Sequence, residues 1–190
     1  MTAFTDNLKK ASNSAAKSLR DDVNSEDIER RYREMRQEAN FVAETYHLLR
    51  GSIGNYPISS LFMEYVYPGK VKAGDKKKKL KPDLIYGGKN GDEVVEFRAL
   101  WDGDFYKGTW KIKGEPQKII KKYYSKLLKY KSLEEKAVSL TLVVAYLGPE
   151  ELDGRGHFDL TQFRGSVMKQ IPNQSKLSGK NDPEIHVIVC

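Results

Sequence analysis

Lys81-Pro82-Asp83-Leu84-Ile85-Tyr86-Gly87-Gly88-Lys89-Asn90-Gly91-Asp92-Glu93-Val94-Val95-Glu96-Phe97-Arg98-Ala99-Leu100 decides the fold, because it reads as two strands joined by a tight turn. Strands are expected at Asp83 to Tyr86 and at Glu93 to Leu100, where β-branched and aromatic residues gather. Asn90-Gly91 supplies the positive φ angles of a hairpin turn. A turn centred on Lys89-Asn90 sets Asp83 opposite Glu96; one centred on Asn90-Gly91 sets it opposite Arg98, with Glu96 on the diagonal. In either register the three side chains share a face, since paired residues point the same way and side chains alternate with period two. Val94 and Leu100 lie on that face too, while Val95, Phe97 and Ala99 line the other, so the strand is expected to be largely buried. Two acids and a cation inside such a strand are costly unless they bind something, which marks them as candidate ligands rather than surface decoration.

Upstream, Ile28, Tyr32, Met35, Ala39, Val42, Tyr46 and Leu49 recur at helical spacing, predicting a helix from a cap at Asn24 or Ser25 to about Arg50. A strand is expected over Ser60 to Tyr67, connected to the hairpin by a lysine run. Downstream, Pro116 opens a helix to about Lys131 with Ile119, Ile120, Tyr123, Leu127 and Tyr130 inward. Leu140 to Leu147 reads as a central strand, Asp159 to Ile171 as a helix and Glu184 to Cys190 as a last strand. The order is helix, three strands, helix, strand, helix, strand. Residues 1–24 carry Phe4, Leu8, Ala11, Ala15 and Leu19 near helical spacing, which predicts an amphipathic arm before a single domain of residues 25–190.

The net charge of +7 is concentrated. Lys70 to Lys81 holds seven lysines and one acid, and Glu115 to Lys131 six lysines and one acid, so these segments carry +11 and leave −4 for the rest. A polyanion is the natural partner of such a distribution. No apolar run approaches the roughly 20 residues that cross a bilayer, so no membrane is expected among the partners. The one cysteine, Cys190, can form no internal disulfide, and a reducing, cytoplasmic setting is the expectation. His47, His157 and His186 are scattered, no second cysteine completes a zinc pair, and no phosphate-cradling glycine pattern opens a helix.

Pro82-Asp83, the hairpin, and Glu96-Phe97-Arg98 together resemble the signature of the PD-(D/E)XK nuclease superfamily, as does the element order from about residue 25 onward. The resemblance implies a restriction-endonuclease-like core, a three-layer α/β/α sandwich about a mixed sheet. It implies Asp83 and Glu96 as acids holding Mg²⁺ or Mn²⁺, the Phe97 carbonyl as a further ligand, and DNA phosphodiesters as substrate. It also implies a glutamate from the first helix that joins these acids at the metal and assists catalysis. Glu38 falls at the edge of the apolar stripe and is preferred to Glu44, which points away, and to Glu64 in the first strand. The motif's third position is usually lysine, and here Arg98 stands there. Arginine stays protonated, so it can steady a phosphate but cannot serve as a base; Lys81, Lys111 and Lys118 are the candidates for a lysine arriving from elsewhere. Gln117 resembles a glutamine that exonuclease-like members place near the metal. Lys76, Lys77, Lys78, Lys79, Lys81, Lys118, Lys121 and Lys122 are expected to neutralise DNA phosphates. Many members are homodimers, since two sites are needed to cut two strands. The rival expectation is a protein of the same fold that binds nucleic acid without cutting it.

Overall fold

A computed structural model describes residues 3–23, 37–52, 61–63, 70–73, 76–79, 81–88, 91–133, 137–152, 156–171 and 185–190. In chain order the elements are α1 (Ala3–Val23), α2 (Gln37–Ser52), β1 (Leu61–Met63), β2 (Lys70–Ala73), β3 (Lys76–Lys79), β4 (Leu84–Gly88) and β5 (Gly91–Leu100). They continue with a 3-10 turn (Asp102–Asp104), α3 (Gly114–Leu133), β6 (Ala137–Tyr146), β7 (Glu151–Leu152), β8 (Gly156–His157), α4 (Leu160–Met168) and β9 (Ile185–Val189). The expected helix start at Asn24 or Ser25, Glu64 and the turn pair Lys89-Asn90 lie outside the described residues.

The fold is mixed α/β, built on a five-stranded sheet ordered β1-β4-β5-β6-β9. β1, β4 and β5 form an antiparallel meander, whereas β5–β6 and β6–β9 are parallel pairs. Parallel neighbours need a crossover, and α3 supplies the one between β5 and β6. The hairpin adopts the first of the two registers, with Leu84 opposite Val95 and Tyr86 opposite Glu93. Gly91 closes it at φ 130°, a backbone region that side-chain-bearing residues rarely enter.

Helices cover both faces of the sheet. Val94, Leu140, Leu142 and Val144 pack against Ile120, Tyr124, Leu127 and Tyr130 of α3 and Phe163 and Val167 of α4. Val95, Phe97, Ala99, Val143 and Ala145 pack against Phe41, Val42 and Leu49 of α2 and Phe4, Leu8 and Ala15 of α1. Every residue from Leu140 to Leu147 is buried, as a central strand with two covered faces requires.

Two features depart from the linear reading. The N-terminal helix is an integral part of one layer. Ala11, Ala15 and Ala16 are buried, their small side chains allow α1 to lie close on α2, Phe4 stacks on Tyr86 at 4.8 Å, and Arg20 donates to the Tyr146 carbonyl at 3.0 Å. The lysine run between the first two sheet strands is itself an antiparallel hairpin, β2–β3, with Lys70 opposite Lys79 and Lys72 opposite Lys77. Its backbone runs beside α3.

The aromatic loop after β5 closes the end of the core: Phe105 and Trp110 are buried, Phe105 meets Tyr146 and Phe163 edge to face, and Trp110 meets Tyr146 in the same way. Gly148 lies directly against the Tyr146 ring, so a Cβ there would overlap it. Gly148→Ala is expected to lower stability by about 1–3 kcal/mol through displacement of Tyr146, measured as a fall in the denaturation midpoint without change of slope.

Candidate active site

β5 is longer than its neighbour, and the site lies where β4 runs out. β4 pairs only with Gly91 to Val95, because Pro82, which has no N–H to give a ladder, sits just before its start. Phe97 and Ala99, two residues apart, therefore project their N–H groups from the same edge of β5 with no strand to receive them. Carboxylates take the strand's place. The Phe97 N–H donates to Asp83 Oδ2 at 2.7 Å, and the Ala99 N–H donates to Glu38 Oε2 at 3.1 Å. Burial makes these bonds obligatory, and they fix both acids against β5.

Glu96 points to the α3 side and is fully buried. Its partners come from two turns of that helix. Lys126 Nζ lies 2.7 Å from Oε1 and 2.8 Å from Oε2, straddling the carboxylate, and the Tyr130 hydroxyl donates to Oε1 at 3.1 Å. Lys126 also donates to the Lys81 carbonyl at 2.7 Å, tying α3 to the segment that carries Asp83. Desolvation and the nearby Asp83 push the Glu96 carboxyl up to about 8, with Lys126 and Tyr130 opposing the rise. Burial likewise raises Asp83, while the Phe97 N–H, Lys126 and a hydrogen bond from Glu96 pull the other way. Each acid thus feels the other directly, the situation of two carboxyls sharing one site.

Glu38 and Arg98 form the other half. Arg98 donates to Glu38 Oε2 at 3.0 Å, and the Tyr123 hydroxyl donates to Oε1 at 3.1 Å. Both Glu38 oxygens are thus engaged by protein donors. Arg98 Nε, in contrast, is buried without an acceptor among the described residues. Beside these groups a cavity of about 160 Å³, lined by Glu38, Ala39, Val42, Met63 and Asp83, has room for several waters at ~30 Å³ each.

The fold brings Asp83, Glu96, Arg98 and Glu38 together. It does not bring the expected lysine candidates. Lys118 pairs with Glu115 at 2.5 Å, Lys111 lies over the Tyr106 ring at 5.4 Å, and Lys81 contributes only its carbonyl. Gln117 donates to the Ile112 carbonyl at 2.7 Å and lines a different groove with Trp110 and Gln162. The lysine at the acids is Lys126, which linear reading passed over as one of many on a basic helix. Its signal is angular: at ~100° per residue it stands about 60° from Tyr123 and 40° from Tyr130, bordering the inward stripe. Tyr123 and Tyr130, expected to point inward, both reach the acids, and Tyr130 is fully buried as well. Lys121 and Lys122 are exposed on the outer face of α3; the side chains of Lys76 to Lys79 lie outside the described residues.

Among the described residues no three His, Cys, Asp or Glu side chains form a ready-made metal cage. The donor chemistry nonetheless fits a hard divalent cation. Asp83 and Glu96 offer oxygen ligands close enough to repel each other, and a cation between them removes that repulsion. No helix among the described residues is long and apolar enough to cross a membrane. Comparison of the chain with protein-family models, curated proteins and solved structures yields no match.

Proposed function

We propose that this chain is a metal-dependent nuclease of PD-(D/E)XK type, hydrolysing DNA phosphodiester bonds with Mg²⁺ or Mn²⁺ held by Asp83 and Glu96. The observation that carries the reading is the meeting of Asp83, just before β4, with Glu96 on β5, where Lys126 of α3 lies 2.7 Å from the Glu96 carboxyl. The element order supports a restriction-endonuclease-like core: a helix, an antiparallel meander of three sheet strands, a crossover helix and a parallel strand, with helices on both sheet faces.

When bound, the cation polarises the phosphodiester and makes water a competent nucleophile near neutral pH. The chain's own groups do the rest. Asp83 is held in place by the Phe97 N–H, so its carboxylate needs no reorganisation to receive a ligand. Arg98, braced by Glu38, presents a permanent positive charge to the scissile phosphate. Glu38, with both oxygens engaged by Arg98, Ala99 and Tyr123, acts as this brace. Lys126 supplies the ammonium that the motif strand lacks.

The exposed lysines of α3 extend the site toward the DNA backbone. Backbone contacts of this kind carry no sequence information and make affinity fall with salt. Changing Lys118, Lys121 and Lys122 together to Ala is expected to reduce the slope of log affinity against log salt by about 0.9 for each lysine that meets a phosphate of duplex DNA. Fluorescence anisotropy across a salt series reads it, and an unchanged slope would place the DNA elsewhere.

A second reading, binding without cutting, is favoured by one observation: Glu96 and Glu38 are already paired with Lys126 and Arg98. Labelled duplex, single-stranded and branched DNA incubated with Mg²⁺, Mn²⁺ or EDTA separates the two. Metal-dependent cutting lost in Asp83→Ala and Glu96→Ala establishes the nuclease; salt-sensitive binding with no cutting on any substrate establishes the binding module.

A further inference from the structure

Lys126 occupies the place a cation would take. Its Nζ lies 2.7 Å from one Glu96 oxygen and 2.8 Å from the other, and so sits across the mouth of the carboxylate. Tyr130 supports the carboxylate at Oε1, and the Lys81 carbonyl, 2.7 Å from Nζ, completes a small oxygen cradle. A carboxylate, a backbone carbonyl and a neighbouring carboxylate from Asp83 are the ligand types that hard divalent cations prefer. Mg²⁺ needs its oxygens at about 2.0–2.1 Å, and two cations cannot share the same oxygens at such distances without strong repulsion.

We infer that Lys126 and a divalent cation are alternative occupants of this cradle: metal binding expels the lysine from Glu96 and delivers its ammonium to the substrate side of the site. The inference rests on the metal-site reading above and adds a definite movement to it. In the metal-free protein Lys126 donates to both oxygens of the buried Glu96, so that side chain is not left without partners. Its side chain is 30 % exposed, so a path outward exists without unfolding α3. The arriving cation replaces its charge, and the lysine becomes free to meet a phosphate only when the site is loaded. Cutting and metal occupancy are thereby coupled through one side chain.

The test reads the lysine itself, with no DNA present. Wild-type protein is labelled by a limiting amine acetylating reagent with and without Mg²⁺, and acetylation is quantified at each lysine by peptide mass spectrometry. Lys118, exposed on the same helix, is the internal reference. Metal is expected to raise the Lys126 rate roughly tenfold relative to Lys118, as a ligand that selects the released conformer must. Asp83→Asn, which removes a ligand charge from the cradle, is expected to abolish the metal-induced rise. Calorimetry on the same samples separates the two ways of failing. Metal bound with an unchanged Lys126 rate overturns the exchange and leaves the metal site standing; no metal bound at millimolar concentration overturns both.

Discussion

Glu96→Gln is expected to lower Mg²⁺-dependent DNA cleavage by more than about a hundredfold while leaving the protein folded. Groups that merely orient metal ligands cost 10–100-fold when removed, at order of magnitude, and a direct ligand costs more. Glutamine keeps the shape and can still accept from Tyr130 and Lys126, so the packing around the fully buried position survives. Asp83→Asn is expected to lose activity to a similar extent, because its oxygen facing Phe97 is retained while the ligand charge is gone. Arg98→Lys serves as the contrast: it preserves a cation at the motif position and is expected to retain part of the activity. Single-turnover cleavage under saturating metal measures all three. Full activity in Glu96→Gln would remove the metal role from the buried carboxylate.

The second large effect is on stability. The Glu96 carboxyl stands at about 8 in the folded protein against 4.5 in its ordinary state, raised first by burial and then by Asp83. Between those values the folded chain holds a proton that the unfolded chain has released, so stability falls as pH rises through this window. The contribution is fully present below 4.5 and lost once pH passes about 8. Asp83, also raised by burial, adds to the same slope from its lower starting point of 3.8. Glu96 alone accounts for up to about 5 kcal/mol, or roughly 10–20 °C in Tm for a chain of this size. Two changes should flatten the curve. Glu96→Gln removes the titrating group, and saturating Mg²⁺ stabilises the folded protein most at high pH, because only the ionised carboxyls take a metal. Thermal unfolding from pH 5 to pH 8.5, in EDTA and in Mg²⁺, checks both, and a Tm that climbs with pH in EDTA would show that Glu96 is ionised and well compensated in the native state.

Much of this site was legible along the chain. Pro82-Asp83 and Glu96 announce themselves because hairpin pairing is local: the alternation of strand side chains places them on one face in either register. Once the resemblance called for a glutamate on the first helix, helical angle chose Glu38, which borders the stripe that Ala39, Val42 and Tyr46 define. The lysine hairpin was not legible, because Lys76 to Lys79 carries no hydrophobic period and Lys70-Val71-Lys72-Ala73 alternates over only four residues. Nor was the place of α1, whose apolar face predicts a helix but does not say which surface it covers.

What the sequence determined by itself is the succession of main helices and sheet strands, the closeness of Asp83 to Glu96 across a hairpin, and the concentration of positive charge, all of which depend on neighbours within about twenty residues. Only the tertiary structure decided how the acids are satisfied. Lys126 and Tyr130 reach Glu96 from 30 and 34 residues away, and Glu38 reaches Arg98 across 60. Those distances are closed by packing α3 on one face of the sheet and α2 on the other. Period and propensity act along the chain, whereas the choice of Lys126 over Lys111 or Lys118 depends on which turn of a packed helix stands over a buried carboxylate.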